Sequence, residues 1–350
     1  MTGSATGAGA EVAPGVADPG RPGRALPAWA GPGLGRSLAG VVAFSAAVAV
    51  LGPQVARGGS DLLLMTLWLV HIISATGYRW VYAVAGRFSF AQTLMMALGA
   101  YTSAWVTGEM GAAWTPVGLV AAVAGVALVG GAVGWVARRS DGFAFAIVTL
   151  ALAELGRQVL SHTEGFSGRN GNLVGIEPLQ LAGRAYVTDE DVLTVLVWVV
   201  AAVLALAMAI ERSPVRRQAL AARTNGPVAA GLGVPVERVR LAVFVLGCAT
   251  GALAGAVMGH WQGFVGTDSF GLDLAIGLLL MVQLGGSRTP WGPVLGATVY
   301  VWLPEALSGL EEYRAAAYGV LLLVTVLVLP DGLTGLPATI RQRLRRGSAS

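Results

Sequence analysis

The chain has 350 residues, 55% of them hydrophobic and 12% charged, with a mean hydropathy of +0.68 and a formal net charge of +4. Soluble domains carry about 25% charged residues; at half that share the polar surface cannot face water, so lipid is the solvent for most of the chain. All 23 basic residues are arginines lying mainly between apolar runs, which is the habit of cytoplasmic membrane loops and excludes a nucleic-acid binder.

Residues 1–36 are rich in glycine, alanine and proline (Pro14, Pro19, Pro22, Pro27, Pro32) and have no apolar face to bury, which predicts a disordered cytoplasmic tail. A cleaved signal peptide does not fit, since the first basic residue is Arg21 and the first apolar run is long enough to span. A membrane helix needs roughly 20 mostly apolar residues. Ten stretches meet that need, some loosely: about 37–56, 61–85, 88–107, 113–137, 143–161, 191–210, 240–262, 270–285, 291–309 and 314–330. The second contains Arg79; the eighth is short and contains Asp273. The prediction is an all-α, polytopic helix bundle over residues 37–335, followed by a cytoplasmic C-terminal tail at 336–350.

Small residues recur at four-residue spacing in span four (Gly130, Gly134) and span seven (Gly251, Gly255, Gly259). That spacing lines one helix face and lets backbones approach closely, so the bundle is expected to be tight. In span five Glu154 and Arg157 lie three apart, share a face and can pair. Charges inside a membrane normally face a cavity or a partner. The pair is therefore either structural or lines a translocation path with Phe145 and Thr149. Asp273 has the same two readings, path lining or pairing with Arg79, while Arg79 and Glu305 can instead snorkel to an interface. His71, His162 and His260 show no ligand spacing and read as packing residues, so no metal site is expected. Cys248, the single cysteine, sits in an apolar run and excludes an intrachain disulfide or a cysteine cluster.

The loops carry more information. The external loop 162–190 contains Gly165, Gly168, Gly171 and Gly175, a density that predicts a tightly folded segment. A phosphate-binding loop of the Walker type needs a lysine, and the chain has none; any ATP chemistry belongs to another subunit. The longest cytoplasmic loop, 211–240, has helix-forming content over 215–224, a break at Asn225-Gly226-Pro227, and a second short helical stretch ending at Gly231 to Gly233. It suits docking into a groove on a cytoplasmic partner, and is equally readable as a solvated, positive loop.

Orientation follows from the charges. Arg21, Arg24 and Arg36, then Arg87, Arg138 and Arg139, the six arginines of 212–240, Arg288, and Arg341 to Arg346 all fall on one side if there are ten spans. Glu109, Glu164, Asp189 to Asp191, Asp268, Glu311 and Glu312 fall on the other. Both termini are therefore expected in the cytoplasm.

Four stretches resemble the LivM-type permeases of branched-chain amino-acid ABC importers over roughly residues 60–335. They are Gly86-Arg87-Phe88-Ser89-Phe90-Ala91-Gln92 leading to Gly99-Ala100-Tyr101; Phe145 to Ala151 with Glu154; the loop Gly168 to Ile176; and Asp268-Ser269-Phe270-Gly271 with Leu279 to Val282, Leu284-Gly285-Gly286 and Trp291 to Ala297. The resemblance implies a permease in the bacterial plasma (inner) membrane, paired with a second, LivH-like permease and two ABC ATPase subunits and fed by an extracytoplasmic solute-binding protein. No cofactor is implied on this chain; ATP sits on the partner subunits. Residues 213–234 align with the family's ATPase-coupling loop, where Ala229 and Gly233 match and Arg223 holds a basic position. With Arg216 and Arg217 they are the coupling candidates, and Phe145, Thr149, Glu154 and Asp273 are the substrate-pathway candidates. Several positions depart from the family pattern: Arg79 for asparagine, Arg87 for glutamine, Leu220 for arginine, Thr224 and Gly226 for acidic residues, Gly277 for glutamate and Arg288 for glycine. Three other readings stay open: a proton-coupled secondary transporter using Glu154 and Asp273, a same-family permease for urea or amides, and a membrane enzyme. The last lacks any assignable constellation of His, Ser and Asp.

Overall fold

The structure is a computed structural model that describes residues 34–55, 59–139, 142–181, 183–306, 319 and 332–335. Lipid offers no hydrogen bonds, so each spanning segment must satisfy its own backbone, which a helix does. The described helices are α1 (Leu34–Val55), α2 (Gly59–Arg79), α3 (Ala91–Met110), α4 (Thr115–Val136), α5 (Phe143–His162), the single turn α6 (Glu164–Ser167), α7 (Asp189–Arg212), α8 (Pro214–Thr224), α9 (Gly226–Gly231), α10 (Val236–Gln262), α11 (Leu272–Gly285) and α12 (Gly292–Ala306). A π-helical turn, Trp80–Val84, continues α2 without a break.

Helices therefore occupy the first nine expected stretches. The tenth, 314–330, and the C-terminal tail 336–350 lie outside the described residues apart from Gly319. So does residues 1–33 of the expected N-terminal tail, while its last residues, Leu34 to Arg36, already belong to α1. Span three is displaced to 91–110, because Gly86 takes a positive φ of 73° and the chain to Phe90 is not helical. Six helical segments among the described residues are long and apolar enough to cross a membrane: Ser60–Val84, Ala112–Val136, Phe143–His162, Asp189–Arg212, Val236–Gln262 and Thr267–Gly285. The apolar part of α1 is shorter, Leu38–Val50. The polar content of α3 (Gln92, Thr93, Ser103, Thr107) is tolerated because these side chains are buried in protein and not in lipid.

The core is built around α10, which packs on α2, α3 and α4. Gly255 is the closest approach: a Cβ there would sit 1.9 Å from the Met96 carbonyl oxygen of α3. Gly251 faces Gln92, Gly259 faces Val265, and Gly130 and Gly134 of α4 face Cys248 and Leu241 of α10. The expected small-residue faces are thus the helix contacts. Gln92 adds polar glue, donating to the Gly247 carbonyl at 3.1 Å and the Ser74 carbonyl at 3.5 Å. A second tight pair, α11 on α12, closes where a Cβ on Gly296 would lie 1.7 Å from the Met281 carbonyl oxygen. By contrast α5 is the least enclosed of the six apolar segments and packs chiefly on α3.

The glycine-rich external loop is folded, as its composition predicts. Its strand β1 (Asn172–Val174) pairs antiparallel with β4 (Phe264–Gly266) beyond α10, and β2 (Leu179–Leu181) pairs with β3 (Arg184–Tyr186). Gly175 and Ile176 both donate to the Gly263 carbonyl, and the Tyr101 hydroxyl donates to the Gly171 carbonyl at 2.5 Å.

A matched pair of substitutions tests the packing. Gly255→Val must push α3 from α10 and is expected to cost about 3 kcal/mol. Gly125→Val in α4, where an added Cβ meets nothing within 4 Å, is expected to leave the thermal unfolding temperature of the detergent-purified protein within a few degrees of the parent.

Candidate functional site

Two places concentrate the functional candidates. The first is the C-terminal half of α5. Arg157 donates through Nη2 and Nε to the Glu154 carboxylate at 2.6 and 3.0 Å, and through Nη1 to Asp268 at 3.2 Å. Gln158 adds a third bond to Glu154 at 3.1 Å. The expected pair is present, with Asp268 as a third member that the sequence placed only among the acidic loop residues opposite the arginines. Glu154 is 54% exposed and flanked by exposed Ile147, Leu155 and Val159. A charged group therefore points outward from an otherwise apolar helix face. Glu154 and Arg157 also border a groove with Phe90, Thr93, Phe270 and Leu272. Its interior is about 20 Å³, room for one water, so this groove does not admit an amino-acid-sized solute.

Phe145 and Thr149 do not join this cluster. Nine positions at about 100° each put Phe145 on the opposite side of α5 from Glu154. Phe145 is fully buried, under the Arg87 guanidinium at 4.8 Å and edge-on to Phe244 at 5.8 Å. The buried Thr149 hydroxyl bonds the Phe145 and Ala146 carbonyls at 2.9 and 3.0 Å and accepts from the Phe90 N–H at 3.1 Å. It thereby satisfies a donor at the start of α3. Asp273 stands apart, exposed in the first turn of α11, where its charge suits the helix N-terminus. One turn on, Gly277 leaves space that the Tyr300 ring fills.

The pairing of Asp273 with Arg79 is not found. Asp273 opens α11, whereas Arg79 meets the segment beyond its far end, about 20 Å of helix away. Nor does Arg79 snorkel: it is 1% exposed. Its Nη2 donates to Glu211 at 2.6 Å and its Nε to the Ser287 carbonyl at 3.0 Å. Glu211 also pairs with Arg216. Glu211 was missed because its partner lies 132 residues away, beyond any local pattern.

The second place is the loop 211–240, which forms the expected helix, break and helix. Ser213 caps α8, accepting from the Arg216 N–H at 3.4 Å, and Asn225 caps α9, accepting from the Val228 N–H at 3.2 Å; a proline follows each in the first turn. Gly233 turns the chain at a positive φ of 84°. Of the coupling candidates, Arg217 and Gly233 are exposed, while Arg216 is partly covered and held by Glu211. Arg223 donates to the Ala83 carbonyl in the π turn, and Ala229 is buried against its own subunit. Val228 and Leu232, 58% and 80% exposed, form an apolar tip that charge-focused reading overlooked; their position among glycines and alanines was the available signal. Arg87 holds the other flank, donating to the Arg138 carbonyl at 3.2 Å and lying 3.9 Å from Glu237.

No group of His, Cys, Asp and Glu among the described residues could hold a metal ion. His260 faces the Glu177 carbonyl through Nδ1 and Ser103 through Nε2, both at 2.8 Å. As a neutral ring it then carries its proton on Nδ1 and accepts from the serine hydroxyl.

Comparison with known proteins gives a consistent answer. Residues 60–329 match the family described as branched-chain amino acid transport system / permease component. The chain is 30% identical to the high-affinity branched-chain amino acid transport system permease protein LivM of Escherichia coli, over 85% of this chain and 74% of that protein. It is 26% identical to LivH, of the same description, from Salmonella typhimurium, over 78% of this chain and 94% of that protein. A xylose/arabinose import permease protein, XylH, from Sulfolobus acidocaldarius is 26% identical over 37% of this chain. No solved structure matches it.

The two ion pairs should respond differently to loss of a partner. Arg157→Gln, at a solvent-facing pair, is expected to cost no more than about 1 kcal/mol. Glu211→Ala strands a buried guanidinium and is expected to cost about 3 kcal/mol or more, both read from thermal unfolding in detergent.

Proposed function

The chain belongs to the family of branched-chain amino acid transport system permease components, and on that premise we propose that it is the membrane-spanning subunit of an ABC importer. Its cargo is a branched-chain amino acid or a related small polar solute. Hydrolysis of ATP takes place on partner subunits, because a chain without lysine has no Walker-type site of its own. The observation that carries the reading is the outward-facing Glu154 and Arg157 pair on the exposed, apolar face of α5. Lipid is a poor cover for such charges, so a second permease or a water-filled path covers them.

The multi-pass arrangement is read as ten spans with both termini in the cytoplasm of a bacterium, the protein sitting in its plasma membrane. In support, the arginine-bearing segments meet at one end of the bundle: Arg79 with Ser287, Arg87 with Arg138, Arg223 with Ala83. The acidic segments meet at the other, where Trp261 bonds Asp189 and Arg157 bonds Asp268. That asymmetry is the one positive-inside orientation requires. Residues 1–36 and 336–350 are then cytoplasmic tails around a permease domain at 37–335.

Each partner has a surface. Two ABC ATPases dock on α8 and α9, where Arg217, Val228 and Leu232 offer contact, Arg216 and Arg223 brace the loop, and Ala229 and Gly233 shape it. A LivH-like permease lies along α5; likeness to both LivM and LivH supports a pair of related subunits. An extracytoplasmic binding protein delivers solute to the outer strands. Glu154 and Asp273 line the path once it opens, and Phe145 and Thr149 close it behind the start of α3. Access alternates as the ATPases open and close.

Reconstituted proteoliposomes test this. Uptake of leucine should require the ATPases, internal ATP and the binding protein, and should persist without a proton gradient. Leu232→Arg should prevent ATPase co-purification while the permease still inserts and remains monodisperse. Uptake driven by a proton gradient without any ATPase would sink the importer reading; uptake of urea or an amide in place of leucine would overturn the cargo alone.

A further inference from the structure

We infer that Arg79 is a positioning residue that fastens the partner-docking loop to the turn between α11 and α12, so that the two move together. The inference rests on the reading of residues 211–240 as the ATPase-docking loop.

The case starts from burial. Arg79 is 1% exposed, and a guanidinium out of water needs its donors paired; Nη2 and Nε are, while Nη1 is buried with no hydrogen-bond partner among the described residues. Holding α2 to α7 would need only one edge of the guanidinium. Arg79 uses two. Nη2 binds Glu211 at 2.6 Å, at the end of α7 and three residues before α8, while Nε binds the Ser287 carbonyl at 3.0 Å in the turn after α11. A rigid planar fork does this in one geometry, and a single point charge cannot.

The other side of the link is equally tight. The second oxygen of Glu211 forms an ion pair with the Arg216 guanidinium of α8. Arg223, near the end of α8, donates to the Ala83 carbonyl of the π turn. An added Cβ on Gly86 would sit 2.7 Å from the Arg223 Cγ, so the chain there leaves room for that arm to lie flat. Ala219 and Ala222 of α8 are buried, and Ala219 belongs to a cluster with Trp80, Val84, Ala207 and Val239. The docking helix is thus held at two points to the segment that carries Arg79, and Arg79 goes on to the α11–α12 turn through the Ser287 carbonyl. A displacement of α8 is delivered there directly and not through lipid-facing helices.

The experiment uses the full transporter in proteoliposomes and reads solute uptake per ATP hydrolysed, with ATPase co-purification as a second readout. Arg79→Lys keeps a cation beside Glu211 but cannot also bond Ser287. The double variant Arg79→Gln with Glu211→Gln keeps a neutral contact between positions 79 and 211 and leaves neither buried charge stranded, while Arg216, whose side chain is 20% exposed, loses its ion pair with Glu211 at a place water reaches. Both are expected to bind the ATPases and hydrolyse ATP, with uptake per ATP reduced on the order of tenfold. The inference is overturned if either variant keeps the parental ratio, or if both lose the ATPases and monodispersity together, as a purely structural role predicts. Failure of the docking reading is a separate result, in which the parental permease itself co-purifies no ATPase, and the inference falls with it.

Discussion

Everything else in this fold hangs on how closely α10 comes to α2 and α3. Lipid tails give helices no hydrophobic reason to associate, so contact must come from dispersion and from polar bonds across the interface. The missing side chain at Gly255 brings main chain against main chain, and that at Gly251 leaves room for the Gln92 side chain, which then reaches two carbonyls that a wider gap would leave unmet. The same approach at Gly296 fixes α11 on α12. These contacts define the rigid part of the molecule. Helix α5, which lacks such a crossing with α10, is the helix left free to face a partner.

The two charged clusters divide along the same line. Around Glu154 the charges are solvent-facing, and the net gain from pairing them is about 1 kcal/mol or less. Around Arg79 they are enclosed, and breaking one partner costs several times that. Stability considerations therefore explain why Arg79, Glu211 and Arg216 stay together, and do not explain why Glu154 and Arg157 occupy an apolar face. The exposed pair is the one whose presence calls for a functional reason.

Much of this was legible in the sequence. Helix positions followed from the length of apolar runs, and the small-residue faces followed from four-residue spacing. The helix, break and helix of 213–234 followed from its prolines, Asn225 and glycines, and the Glu154–Arg157 pair from a spacing of three. All are local signals. Arg79 was misread because its partners, Glu211 and Ser287, lie more than a hundred residues away. Phe145 and Thr149 were grouped with Glu154 by shared helix membership, although the helical period sets Phe145 and Glu154 on opposite sides. The pairing of β1 with β4 and the exposed Val228 and Leu232 depend on which chain segments meet, which no local pattern encodes.

The close crossing of α2 and α10 at Gly77 also has a consequence in the arithmetic of levers. Helix α2 has 21 residues, or about 30 Å, and it packs on α10 through Gly77 and Gly247. Contacts between bare backbones leave little room to slide and more room to rock, so the crossing is a fulcrum. Gly77 lies near one end of this rod, so a tilt of about 5° about it carries the start of α2, about 27 Å away, through about 2 Å, and the end of the π turn, about 10 Å away, through about 1 Å in the opposite direction. Widening at one membrane face is then narrowing at the other, by construction of the pivot and with no separate gate on each side.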